Sequence, residues 1–165
     1  MRAATATKEE VLCLGNYRGA RRSNGHGRGT RRPNDGRERA RGRFVMAWRY
    51  EQSTGRLTHN GQLVAIGYSG HGTGLNAPNM QNVRNVGPIP RGSYTIGPKH
   101  NVPGNQGIMR ITPRTGTQTS NRTGFLIHGD NAAANHTASD GCVILPPNIR
   151  TQIDNSTDKD LDVVQ

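Results

Sequence analysis

A histidine and a cysteine fourteen positions apart are the residues of this chain best suited to covalent chemistry. In Phe125-Leu126-Ile127-His128-Gly129-Asp130 an apolar run ends in His-Gly. In Ala138-Ser139-Asp140-Gly141-Cys142-Val143-Ile144-Leu145 a polar turn delivers a cysteine to the start of another apolar run. If the two strand ends lie side by side, the imidazole of His128 comes within reach of the sulfur of Cys142 and can take its proton. A neighbouring histidine lowers a cysteine pKa from about 8.5, so that thiolate is present near neutral pH. Gly141 allows a tight turn and is expected to leave its N–H free. With the N–H of Cys142 it would form an oxyanion hole, where a single donor is worth roughly 3–4 kcal/mol. Three other accounts fit the same residue types. Cys142 can be a buried small hydrophobe and His128 a satisfied core histidine. His128, His136 and Cys142 can be zinc ligands, although no Cys-x-x-Cys or His-x-x-x-His clamp accompanies them. Asp130 and Asp140 can be a glycosidase-type carboxylate pair, although both stand in a turn-forming loop that solvates them equally well.

The elements that would position this pair read as short strands. Phe44 to Tyr50 is rich in strand formers, Gln52-Ser53-Thr54-Gly55 is a turn, and Arg56-Leu57-Thr58 returns, which predicts a hairpin. Leu63–Tyr68 reads as a further strand, and Ser69–Asn79 as a Gly/Asn loop too long to be a turn. Gly87-Pro88-Ile89-Pro90 leads into a short strand around Tyr94-Thr95-Ile96. Ile108–Ile111, Phe125–His128 and Cys142–Leu145 follow, with a short helix over Pro147–Asp154 opened by Pro146-Pro147. Leu161–Val164 is expected to close the sheet. Many short strands punctuated by Gly and Pro predict a mainly β sandwich or barrel with one or two short helices.

Composition divides the chain. Hydrophobic residues make up 31% and aromatics 4% of its 165 residues, too few for every segment to join a core. Residues 1–43 hold twelve Lys/Arg against four acids, a net of +8 within the total of +11; residues 44–165 carry only +3. Residues 15–43, with seven glycines and ten arginines, cannot bury enough surface to offset ordering entropy of about 1–2 kcal/mol per residue. A disordered basic tail over 1–43 and a catalytic domain over 44–165 are therefore expected. No run is long and apolar enough to span a membrane. Val11–Leu14 is too short for a signal-peptide core, and acidic Glu9-Glu10 precede it. Export without a Sec signal is the expectation. Of the two cysteines, Cys13 lies in the basic segment, which argues for a free thiol at Cys142 over a disulfide.

The segment around Cys142 looks like the signature of YkuD-like L,D-transpeptidases, a histidine followed at a distance by Ser-x-Gly-Cys. It resembles more closely the small relatives delivered by type VI secretion systems as antibacterial effectors. Upstream, Trp48-x-Tyr50-x-Gln52-Ser53-Thr54-Gly55-x-Leu57 is similar to the opening strand and turn of that group. Gly67-Tyr68-Ser69-Gly70-x-Gly72-x-Gly74-x-Asn76-x-Pro78 is similar to its glycine-rich loop, and Gly87-Pro88-Ile89-Pro90-x-Gly92-x-Tyr94-x-Ile96 to its substrate-side strand. The likeness runs from about Phe44 to Leu145. It implies a Cys142 nucleophile activated by His128, with Ser139, Asp140 and Gly141 shaping the turn and oxyanion site. It implies peptidoglycan tetrapeptide stems as substrate, cleaved between the third, diamino-acid residue and the terminal D-alanine, with water or a D-amino acid completing the reaction. A periplasmic site of action in a target bacterium, an immunity protein and a secretion-apparatus component are implied with it.

The chain departs from the better-known L,D-transpeptidases at two places: Asp140 stands where they have histidine, and Val143-Ile144-Leu145 follow where they have an arginine. Arg91 and Arg122 are then the candidates for binding the substrate carboxylate, and Gly129, Tyr68 and His71 are candidates for lining the cleft. No cofactor or metal is called for, and a monomer is the default. Three competing functions remain. A nucleic-acid-binding protein acting through its Arg/Gly tail would leave the His/Cys arrangement idle, and only Tyr17 offers stacking there. A papain-like hydrolase normally has the cysteine before the histidine and opening a helix. An inert β-rich module would be indifferent to Cys142.

Overall fold

The computed structural model describes residues 47–165. The expected basic tail over 1–43, and Phe44–Met46 at the start of the first expected strand, lie outside the described residues. Nine strands and one helix follow: β1 (Trp48–Glu51), β2 (Arg56–His59), β3 (Gln62–Ile66), β4 (Tyr68–Ser69), β5 (Gly92–Val102), β6 (Asn105–Pro113), β7 (Leu126–His128), β8 (Val143–Ile144), α1 (Pro147–Asn155) and β9 (Asp160–Val164). The mainly β expectation holds, and the sheet is a nearly closed barrel.

Side-chain alternation explains the strands. In β1, Trp48 and Tyr50 turn inward and Arg49 outward; in β9, Leu161 and Val163 turn inward between aspartates; in β5, Tyr94 and Ile96 do so between Ser93 and Thr95. These residues join Leu57, Ile111 and Ile127 in one core, which α1 covers through Ile149 and Ile153. Polar side chains buried at its rim tie loops to it. Gln52 Nε2 donates to Ile89 O at 2.6 Å, Ile89 N donates to Ser69 Oγ at 2.8 Å, and Tyr94 OH donates to Pro90 O at 2.7 Å. Three of the motif residues singled out in the sequence, Gln52, Ser69 and Tyr94, thus fasten the Gly87–Pro90 segment to the barrel.

The strands lie in the order β3-β2-β1-β9-β5-β6-β7-β8-β4. β1–β2 and β2–β3 are hairpins, so the first expected hairpin is present. Three expectations need correction. Leu63–Tyr68 is not one strand. The chain breaks at Gly67 and passes from β3, one edge of the sheet, to β4, the other. Gly67 alone fits there, because a Cβ would stand 2.1 Å from Ile144 O. The strand around Tyr94–Ile96 is long, not short: it runs to Val102 by absorbing register shifts between Ile96 and Lys99 and again after His100. The last strand does not close an edge. β9 inserts between β1, to which it is parallel, and β5, to which it is antiparallel. A strand with both neighbours has all its backbone groups paired, whereas its hydrophobic pattern says only which face is buried.

Candidate active site

Strands β7 and β8 pair in parallel, with Ile127 opposite Val143 and His128 opposite Ile144. Continuing that register by one residue sets Cys142 beside Leu126. Because faces alternate, Leu126, His128, Cys142 and Ile144 share one face, with His128 and Cys142 on a diagonal. Contacts agree: Cys142 is packed with Ile108 and Leu126. Residue and base are therefore on neighbouring strands and the same side of the sheet.

His128 is buried, and its Nδ1 lies 2.8 Å from Gly129 O. A carbonyl only accepts, so Nδ1 carries the proton and, in the neutral ring, Nε2 keeps its lone pair. Burial pushes the His128 pKa down, and the nearby Arg150 cation pushes the same way; the Gly129 carbonyl and the charges of Asp130 and Asp140 oppose them. The imidazole is thus held as a neutral base at neutral pH.

Cys142 differs from expectation. It is fully buried and disulfide-bonded, not a free thiol. Cys13, the other cysteine in the sequence, lies outside the described residues. The disorder expected of the basic segment is no bar to a disulfide at Cys142, because loop-closure entropy rises only slowly with length. A sulfur in a disulfide has no proton to lose, so nucleophilic chemistry at Cys142 requires prior reduction.

The turn before Cys142 is held from several sides. Ser139 Oγ donates to Cys142 O at 2.7 Å and accepts from Gly70 N at 2.9 Å and Gly141 N at 3.1 Å. The Gly141 N–H expected to serve an oxyanion hole is therefore engaged, because the serine two residues earlier reaches it first. His71 donates from Nδ1 to Ser139 O at 2.9 Å and lies 3.4 Å from Asp140 Oδ1, so its place is behind the turn. Gly141 has φ +121°, and a Cβ there would stand 1.9 Å from Arg122 Nη2. Only glycine meets both conditions.

Arg122 is not available to a substrate carboxylate. Its guanidinium donates to the carbonyls of Gln81, Gly87 (2.9 Å), Pro88 (2.6 Å) and Asp140 (3.2 Å) and sits over Phe125. Its burial was invisible in a sequence that shows only an arginine in a polar stretch. Arg91 is exposed and donates to Gln165 Oε1 at 3.1 Å, away from the His128 face. Neither lines the pocket beside His128.

That pocket has a volume of about 480 Å³ and lies between β4, the residues after β7 and the start of α1. Tyr68, Gly129, Asp130 and His136 line it together with Ile144, Leu145, Pro146, Pro147 and Arg150. Tyr68 and Gly129, two of the candidate cleft residues, are here. Tyr68 OH donates to Asp130 Oδ1 at 2.5 Å, and the Tyr68 pKa is pushed up by burial and by that carboxylate. His136 stands edge-on to the Tyr68 ring, with centroids 4.9 Å apart. Arg150 was missed in the sequence. Its signal was a lone charge beside Ile149 on the buried side of an amphipathic helix, where the apolar stripe leaves no room for a solvated cation.

The Tlde1 domain family model matches residues 64–164, from β3 to the last strand, and so spans Tyr68, His128, Cys142 and Arg150. No curated protein matches the chain.

Proposed function

The chain belongs to the Tlde1 domain family, a family of type VI secretion effector domains, and from that premise we propose that it is a Cys142-dependent L,D-carboxypeptidase or L,D-transpeptidase of peptidoglycan. The supporting observation is the shared face of His128 and Cys142 on adjacent parallel strands, with a neutral imidazole whose Nδ1 proton is already committed to Gly129 O. In this reading, a dithiol reductant first frees the Cys142 thiol by thiol–disulfide exchange and leaves as its own disulfide. His128 Nε2 takes the Sγ proton as sulfur attacks the carbonyl carbon between the diamino-acid residue and the terminal D-alanine of a tetrapeptide stem. The C–N bond breaks, His128 returns the proton to the departing amine, and a thioester remains on Cys142. Water then yields a tripeptide, or the amine of a D-amino acid yields an exchanged stem. Ser139, Asp140 and Gly141 set the direction of Cys142 as the turn behind it, and Tyr68 and Gly129 border the substrate.

The YkuD-like ancestry, the catalytic role of residues 44–165 and action in the periplasm of a recipient cell belong to this same reading. So do delivery by a secretion apparatus without a Sec signal and neutralisation by an immunity protein. The test is direct. Full-length protein, pre-treated with a thiol reductant, is incubated with tetrapeptide muropeptides, and loss of D-alanine is followed by mass spectrometry with and without added D-amino acid. Wild type should release D-alanine, and Cys142→Ala and His128→Ala should not. Unaltered muropeptides with folded, reduced wild-type protein would overturn the assignment.

A further inference from the structure

Arg150 is a buried cation with one face unused. It is 7% exposed. Its Nε donates to Leu145 O at 3.1 Å, and its Nη1 donates to Gly107 O at 2.7 Å and to Gln106 O. Among the described residues Nη2 has no acceptor. That nitrogen lies against Gly129, where a Cβ would stand 2.9 Å from it, and Arg150 lines the pocket beside His128. A largely buried guanidinium with one N–H left facing a cavity is a ready charge-assisted donor for an anionic group.

The rest of the pocket limits what that anion can be. Asp130 also lines the pocket and would repel a simple anion such as phosphate, while it would attract an ammonium. Much of the remaining lining is apolar: Ile144, Leu145, Pro146 and Pro147, with exposed Ile66. We propose that this pocket binds the head group of an amino acid, its carboxylate on Arg150 Nη2 and its ammonium toward Asp130, with its aliphatic part along the prolines. The proposal rests on the peptidoglycan reading above. Two substrates of that reaction carry such a head group. One is the side-chain end of a stem diamino acid that bears both an ammonium and a carboxylate. The other is the free D-amino acid that enters as acceptor. Because Gly129, the residue after His128, lines the pocket, a ligand held here lies near that histidine.

The experiment compares carboxylates with their amides on full-length, reduced protein. The hydrolysis arm uses a tetrapeptide stem with the diamino-acid side-chain carboxylate intact, and the same stem with that carboxylate amidated. The exchange arm uses D-alanine labelled with heavy isotope, and labelled D-alaninamide. Loss of the carboxylate should raise KM about 10- to 100-fold in one arm, and that arm identifies the occupant. In Arg150→Gln the difference in KM between acid and amide should vanish, and Arg150→Lys should recover part of it. Equal KM for acid and amide in both arms of the wild type, which needs no variant to fold, overturns the proposal. So does an acid preference that survives in folded Arg150→Gln. If wild type turns over no stem, the peptidoglycan reading fails by itself. Calorimetric titration of Cys142→Ala with the two stems and the two D-alanine probes then decides the pocket: tenfold weaker binding of an amide supports it, and no binding or no difference overturns it.

Discussion

Two buried arginines flank the His128–Cys142 strands, and they differ in one respect. Arg122, on the turn side, spends its guanidinium on four carbonyls drawn from two loops. Arg150, on the pocket side, binds three carbonyls and leaves Nη2 facing a cavity. Burial pushes the pKa of both below the ordinary arginine value, yet both stay charged under any condition in which the protein folds. The difference teaches that burial alone does not separate a structural cation from a binding one. The unfilled donor does.

The largest effect expected from this contrast is on stability. Arg122→Met strands four carbonyls and should cost about 3–5 kcal/mol, measured by urea unfolding of reduced protein. Arg150→Met should cost less, and a loss as large as that of Arg122→Met would break the contrast. Gly141→Ala comes next, at about 2–4 kcal/mol, since it combines a left-handed backbone with collision against Arg122 Nη2. Combined with Arg122→Met, its cost should shrink, because the colliding atom is gone; strict additivity in that double-mutant cycle would show that backbone strain carries the whole effect. Ser139→Ala removes three hydrogen bonds behind Cys142 and should cost about 2 kcal/mol while lowering kcat more than it raises KM.

The smallest effect is the pH response of the pocket side. In the unfolded chain His128 titrates near 6.5, and in the folded protein burial and Arg150 hold its pKa lower. Above that window both states carry a neutral ring, and His128 adds no pH dependence. As pH falls through it, the unfolded chain takes up the proton first, so stability declines until the folded-state pKa is passed. Unfolding midpoints should therefore drop below about pH 6.5 and should drop less in His128→Gln. The acid limb of kcat/KM should likewise lie below pH 6.5, because the base stays unprotonated there; a limb above it would contradict a base depressed by burial and by Arg150.

Much of this arrangement was legible before folding. Alternation in Trp48–Tyr50 and Leu161–Val163, the turn glycine at 141, and the apolar runs ending in His128 and beginning with Cys142 are local patterns. They express side-chain periodicity and backbone sterics that a residue settles with its immediate neighbours. What lay outside that reach was every question of who completes whom. The place of β9 between β1 and β5 depended on a pairing across most of the described chain. The engagement of Arg122 depended on carbonyls at 81, 87, 88 and 140, and that of the Gly141 N–H on how Ser139 is turned. The idle nitrogen of Arg150 depended on Gln106 and Gly107 claiming the other. The residue types alone determined a mainly β chain carrying a histidine and a cysteine at neighbouring strands. Only tertiary structure decided which polar atoms are spent and which remain for a ligand, because a hydrogen bond is satisfied by proximity in space, and sequence distance carries no information about that.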